Sequence, residues 1–396
     1  MVLSFSSLLL VAVIIIGIIS EGSQQFPMLA QSFLHGKLNF LSPIGGAGQD
    51  PVLYRHKIYW SEGPFPAIIL MPLVGLFSLF HHFFFLGYIT WALILGTIYF
   101  VFRIARALGY SWQDSYVLVL GFTLGSAFIG IMAVSSSWFF AQVLTTLLLF
   151  WALSEFYARK QRRWWLIGLL IGCITLTRIT AAPVIVFFLL YLLFTQKERE
   201  HLRHNLLQLC LPVIAALGLI GLYNYVRFGS PLNSGSVYQL LSQKSAASRA
   251  LGVFSVKHIP TNFYAAVLQG PVPILRSSIS WSLRFPYIAN NSVTGMSIFC
   301  TSPYLLQLFT NKWGDIPRTV KFLLAPIGIS ALALFTYYGV GGLQLGYRYA
   351  LDFMPELFVL FMILYRQRHD QITTGMTWLL LGAGILNFYL LMFFIF

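Results

Sequence analysis

Only 11 Asp and Glu side chains serve the whole 396-residue chain, so acid–base chemistry must draw on few groups. Three of them follow the first apolar run: Glu21, in Ser20-Glu21-Gly22, then Asp50 and Glu62. A carboxylate beside an apolar wall holds its proton more tightly, as a general base acting on a hydroxyl requires. Glu21 is expected as that base, with Asp50 in reserve. A plainer reading stays open for each: a helix end for Glu21, a turn before Pro51 for Asp50, a solvated charge for Glu62.

The opposite charge collects later. The segment Val226–Thr294 holds Arg227, Lys244, Arg249, Lys257, Arg276 and Arg284 and no Asp or Glu. Guanidinium forks match phosphate oxygens. A basic surface beside a membrane also attracts anionic headgroups, and both readings stay open. Arg178 lies between two short apolar runs, where it either snorkels to the headgroups or meets a lipid phosphate. Arg348, Asp352 and Glu356 recur every four residues, which on a helix puts them on one face. Asp352 and Glu356 are expected in a structural ion pair, while Arg348, between Tyr347 and Tyr349, faces a ligand. The phosphate-binding candidates are therefore Arg178, Arg227, Arg284 and Arg348. Tyr54, Tyr59, Glu62, Tyr349 and Asp352 are their supports. Tyr54, Tyr59, Trp60, Phe65 and Trp138 also read as interfacial aromatics.

Composition sets the frame for these groups. Hydrophobic residues make up 58% of the chain and charged residues 9%, where a soluble domain carries roughly 25% charged residues. A water-soluble globule is excluded. Continuous apolar runs without period-two alternation exclude a β-barrel. Cys173, Cys210 and Cys300 form neither a disulfide framework nor a metal spacing. Walker, Rossmann and HExxH motifs are absent. The formal charge of +14 is divided among short loops, which argues against nucleic acid as a partner.

The fold class is an all-α polytopic membrane protein. Crossing ~30 Å takes about 20 apolar residues. Candidate crossings are Leu3–Ser20, Phe84–Val101, Tyr116–Ala133, Phe139–Leu153, Trp164–Leu176, Val184–Phe194, Leu206–Tyr225, Met296–Phe309, Val320–Tyr338, Leu351–Leu364 and Met376–Phe396. Leu3–Ser20 has no basic residue before it and reads as a retained first helix, not a signal peptide. Basic clusters at Arg103/Arg106, Arg159–Arg163, Lys197–Arg203, Lys312–Lys321 and Arg366/Arg368 all fall on one side if eleven helices cross, N-terminus inside and C-terminus outside. Pro66–Phe80 is apolar but only ~22 Å long as a helix. If it crossed, every later cluster would change sides, so it is expected at the outer interface. A second such helix is expected within Gln31–Leu41. The chain divides into a module 1–226 (helices 1–7, outer loop 21–83, interfacial helix 66–80), a basic outer loop 227–295, and helices 8–11 over 296–396.

One helix followed at once by Ser20-Glu21-Gly22 and a long outer loop resembles the GT-C membrane glycosyltransferases. Within them it is most similar to the protein O-mannosyltransferase and lipid A aminoarabinose transferase type. The likeness continues in Tyr54-Arg-His-Lys-Ile-Tyr59-Trp-Ser-Glu-Gly-Pro-Phe-Pro66, Tyr223-Asn-Tyr-Val-Arg227-Phe-Gly-Ser-Pro231, Thr301-Ser-Pro-Tyr304 and Gly346-Tyr-Arg348-Tyr-Ala-Leu-Asp352-Phe-Met-Pro355. The resemblance implies a polyprenyl- or dolichyl-phosphate sugar as donor and transfer, usually inverting, to a glycan, lipid or protein hydroxyl at the outer face. The membrane implied is the plasma (inner) membrane, or the ER in a eukaryote. It also implies an early acidic residue in the first outer loop, matched here by Glu21 where the family more often has Asp. No metal is required, because arginine alone neutralises a phosphate monoester, and a divalent cation stays open. Rival readings are a lipid or solute transporter, a non-catalytic subunit of a glycan-assembly complex, and a polymerase or ligase acting on diphosphate-linked glycans.

Overall fold

The structure, a computed structural model, describes residues 2–43, 50–195, 199–277, 280–291 and 293–395. Seventeen α-helices dominate the described chain. In order they are α1 (Val2–Ile19), α2 (Gln25–Leu34), α3 (Phe65–Leu79), α4 (Gly87–Ala107), α5 (Trp112–Thr123), α6 (Phe128–Met132), α7 (Ser137–Tyr157), α8 (Trp164–Thr177), α9 (Val184–Thr195) and α10 (Arg199–Phe228). They continue as α11 (Gln243–Arg249), α12 (Ile259–Phe263), α13 (Ile298–Thr301), α14 (Arg318–Lys321), α15 (Leu324–Thr336), α16 (Met354–Arg366) and α17 (Thr374–Ile395). Two antiparallel hairpins interrupt them: β1 (Val52–Tyr54) with β2 (Lys57–Tyr59), and β3 (Val272–Ser277) with β4 (Ser280–Ala289).

Six of the expected crossings are helices long and apolar enough to span a membrane; they contain α1, α4, α7, α10, α15 and α17. The helix α7 is the hub, with nearly every side chain from Ser137 to Phe156 buried. By contrast α10 leaves Leu207, Leu211, Ile214, Leu217 and Leu222 exposed. An apolar face with no protein against it is what lipid solvates. In lipid, packing depends on close backbone approach more than on expulsion of water. The pair Gly168 and Gly172 provides it: a Cβ on Gly168 would stand 2.4 Å from the Leu209 carbonyl oxygen, and one on Gly172 3.0 Å from that of Pro212. α8 and α10 therefore meet backbone to backbone.

Several expected runs are broken, each for a local reason. Tyr116–Ala133 splits into α5 and α6, with the break between Leu124 and Ala127, where Gly125 admits the Leu380 carbonyl oxygen, 3.0 Å from where a Cβ would stand. Met296–Phe309 becomes the short α13 and a 3-10 segment that starts at Pro303. Leu351–Leu364 begins as a 3-10 turn over Arg348–Asp352, leaves helical geometry at Phe353 (φ −137°), and resumes as α16 with Pro355 in its first turn. Pro66–Phe80 does form one helix, α3, packed on α2. The second helix expected within Gln31–Leu41 begins earlier, at Gln25, and ends at Leu34.

Contacts define two ends of the bundle. At one, Glu155 of α7 meets Arg103, Arg159 and Arg163. Arg162 reaches Tyr191, Arg318 covers Phe194, and Arg106 and Arg366 gather around Tyr110. Four of the five basic clusters that the parity argument assigned to one side thus contribute to this end; of the fifth, Lys197 lies outside the described residues. At the opposite end Glu21 pairs with Ser135 and Phe254 with Tyr337, and Leu240 donates to the Pro51 carbonyl.

Candidate active site

At this opposite end the sequence Ser-Glu-Gly occurs twice, at Ser20-Glu21-Gly22 and Ser61-Glu62-Gly63. In both the glycine lets the backbone touch a helix end. A Cβ on Gly22 would be 2.5 Å from the Cβ of Ser136, at the start of α7. A Cβ on Gly63 would be 2.0 Å from the Leu176 carbonyl oxygen, in the last turn of α8. The first contact sets Glu21, exposed, at the mouth of α7. The second sets Glu62, half-buried, beside the residue that follows α8, Arg178.

Arg178 is held by Asp352. Its Nε and one terminal nitrogen donate to the two carboxylate oxygens at 2.7 and 2.9 Å, and the Thr180 hydroxyl donates to the same carboxylate. Asp352 is fully buried, so this two-pronged pair and the hydroxyl satisfy a charge that would otherwise be costly. The ion pair expected for Asp352 is found, with Arg178 as its partner; the one expected for Glu356 is not present among the described residues. A 3-10 turn has three residues per turn and the helix breaks at Phe353, so the four-residue spacing no longer shares a face. Glu356 stays buried, with its Oε2 unpartnered.

Arg348, four residues before Asp352, is in the opposite situation. It is 7% exposed, yet no described carboxylate comes within ion-pair distance of it. Its terminal nitrogen donates to Gln142 Oε1 at 3.2 Å and its backbone N–H to Gln344 Oε1 at 3.2 Å. Gln142 returns a bond to the Arg348 carbonyl. The Nε has no partner. The guanidinium lies 4.9 Å from the Tyr349 ring centre and 5.4 Å from that of Phe139, and Tyr349 is also covered by Arg178 at 5.6 Å. A buried cation anchored by neutral amides, with donors left over, is a seat for an anion.

Two carboxylates face these arginines. Glu62 lies within electrostatic reach of Arg178, Arg348 and Asp352; burial raises its pKa, and the two arginines oppose that rise. Asp50 is pushed up to about 6, first by burial and then by Glu62, with Arg348 opposing. Raised proton affinity against a positive background suits a group that takes a proton and then keeps it.

The remaining candidates lie elsewhere. Arg227 is buried, donating to the Trp60 carbonyl at 2.8 Å, to Asn224 at 2.8 Å and to the Tyr223 carbonyl at 3.3 Å. It stacks 3.6 Å over Tyr223. It clamps the segment between β2 and α3 to α10. Tyr54 and Tyr59 pack with Phe228 in the same clamp. Arg284 is exposed on the β3–β4 hairpin, which leans on the end of α17 through Phe285 and Phe393, 5.2 Å apart. The structure thus brings Asp50, Glu62, Arg178, Arg348, Tyr349 and Asp352 together and leaves Arg227 and Arg284 outside. Glu62, expected only as a support, is central. The repeated Ser-Glu-Gly was its available signal. A cavity of about 570 Å³ lies at the arginine-rich end, between the starts of α5 and α17, so charge and not volume marks the site. No three His, Cys, Asp or Glu side chains among the described residues stand as metal ligands.

A family model described as glycosyltransferase family 87 matches residues 60–254, just under half of the chain. The match includes Glu62 and Arg178 and stops before Arg348. No curated protein matches the chain. Among solved structures, the chain is similar to the apo form of the oligosaccharyltransferase of Archaeoglobus fulgidus, with 13% identity and a TM-score of 0.49. That alignment covers 98% of this chain and 55% of the other, so the chain spans about half of that protein's length. The family match supports the resemblance to membrane glycosyltransferases read from the sequence.

Proposed function

We propose that the protein is a membrane glycosyltransferase that moves a sugar from a polyprenyl-phosphate donor to a hydroxyl acceptor. One observation carries the reading: Arg348 is a buried, anchored guanidinium with free donors and no carboxylate of its own, facing Glu62 and Asp50 across a small cluster. The glycosyltransferase family match over residues 60–254 supports the class of reaction.

In this reading Arg348 holds the donor phosphate. Glu62, assisted by Asp50, accepts the proton of the acceptor hydroxyl as its oxygen attacks the anomeric carbon. The bond from that carbon to the phosphate oxygen breaks, and its electron pair leaves on the lipid phosphate. A single displacement of this kind inverts the anomeric centre. Fixed cations aimed at the growing phosphate charge supply much of the stabilisation, and the carboxylate adds typically ~10²–10⁴. The pair Arg178–Asp352 positions the cluster and lends a second positive field. Glu21, at the mouth of α7, is the competing base. The chemistry is proposed to run without a metal, and the catalytic end of the bundle is proposed to face the outside.

The test is turnover of a polyprenyl-phosphate sugar by purified protein and by Glu62→Gln, Asp50→Asn and Glu21→Gln. The expected order of loss is Glu62 first. A full loss in Glu21→Gln with normal turnover in Glu62→Gln moves the base to the first outer turn.

A further inference from the structure

We propose that the arginine-rich end of the bundle carries a binding site for a phosphate-bearing anion, and that its occupant is the headgroup of an anionic phospholipid. The site is distinct from the cluster around Arg348 and does not depend on the transferase reading. Its centre is Glu155, fully buried near the end of α7. One carboxylate holds three guanidiniums: Arg163 with two bonds at 2.9 and 2.8 Å, Arg159 at 2.8 Å and Arg103 at 3.8 Å. Three cations less one anion leaves a surplus of two positive charges.

The surplus points outward. The side chains of Arg103, Arg159 and Arg163 are 25%, 39% and 38% exposed. Arg159 gives its Nε to Glu155 and Arg103 stands 3.8 Å from that carboxylate, so their remaining guanidinium nitrogens are open to phosphate oxygens. Arg162 is not part of the seat, because it is engaged by the Phe156 carbonyl and Tyr191. The surroundings select a lipid over a soluble anion. One turn before Arg103 on α4 stands Tyr99, 56% exposed. One turn before Glu155 on α7 stands Trp151, stacked on Phe100 at 5.3 Å. Trp165, just past Arg163, is 49% exposed. Aromatic rings on the apolar side of a cationic cluster are placed as interfacial residues are placed around a headgroup.

The test uses the purified full chain in a neutral detergent, with thermal unfolding as the readout. Phosphatidylglycerol, phosphatidylcholine and inorganic phosphate are titrated separately into the wild type and into Arg103→Gln/Arg159→Gln. Phosphatidylglycerol is expected to raise the unfolding temperature of the wild type, and phosphatidylcholine is not. The double variant should need about thirtyfold more phosphatidylglycerol for half the effect. An unchanged response in that variant overturns the site. An equal rise with inorganic phosphate overturns the lipid as occupant. In the wild type the gain should also shrink as salt rises, because the screening length falls from ~10 Å at ~0.1 M to ~3 Å at ~1 M. A salt-insensitive gain overturns the electrostatic basis whatever the variant does.

Discussion

Arg178 and Asp352 close a two-pronged ion pair across the two ends of a 174-residue separation in sequence, at 2.7 and 2.9 Å. Arg348, next to them, has no such partner. This division of labour is the basis of the account: one arginine is neutralised by structure, the other is left for substrate. Removing one partner of a buried pair leaves an uncompensated charge, at a cost of about 3–5 kcal/mol. Arg178→Ala should therefore unfold at a clearly lower temperature. The double variant Arg178→Ala/Asp352→Ala should recover part of that loss. Equal loss in both variants, read by thermal unfolding in detergent, contradicts a structural pair.

Arg348→Gln should behave differently. Gln142 and Gln344 are neutral and keep bonds with the backbone of residue 348, so the fold should hold while donor affinity falls. A lost charge-assisted contact to phosphate is worth about 1.5–3 kcal/mol, which is roughly 10- to 100-fold in dissociation constant. Equilibrium binding of a polyprenyl-phosphate sugar reads this, with Arg284→Gln as a control expected to stay near wild type.

The proton acceptor should show in the pH profile. Burial raises the proton affinity of Asp50, to about 6, and of Glu62, while Arg348 opposes the rise at both and Arg178 at Glu62. A base works deprotonated, so kcat/KM should climb with pH through an acid limb displaced above the ordinary carboxylate range and then level off. Below that limb the base is protonated and the rate falls about tenfold per pH unit. Glu62→Gln should remove this limb together with ~10²–10⁴ of the rate. A limb that survives in Glu62→Gln and vanishes in Glu21→Gln would relocate the base.

The close contact of α8 and α10 offers a packing test away from the charges. Gly168→Leu puts a branched side chain where even a Cβ would meet the Leu209 carbonyl oxygen at 2.4 Å. Overpacking of this kind costs typically ~1–3 kcal/mol. The unfolding temperature should drop, while Gly218→Leu, where a Cβ meets nothing within 4 Å, should leave it unchanged.

Much of the architecture was legible because lipid imposes it. Long apolar runs and basic short loops fixed α1, α4, α7, α10, α15 and α17, and the parity argument brought the arginine clusters to one end. What escaped was local. Pro303 and Pro355 sit where two expected spans become short helices and 3-10 turns, and that break removed the shared face of Arg348, Asp352 and Glu356. The partner of Asp352 comes from the tip after α8, a contact no spacing in sequence encodes. Arg227 looked like a ligand for phosphate because it is a cation in an acid-free segment. Its bond to the Trp60 carbonyl depends on a loop 167 residues away in sequence. Glu62 was undervalued for a similar reason: its neighbours Arg178 and Arg348 come from two distant elements.

The most direct measurement is a structure of the protein with a polyprenyl-phosphate sugar, or a non-hydrolysable analogue, bound. The account predicts the phosphate within hydrogen-bond distance of the Arg348 guanidinium, and the sugar between it and the Glu62 carboxylate. A headgroup held instead by Arg227 or Arg284, with the cluster around Arg348 closed and unoccupied, would contradict it.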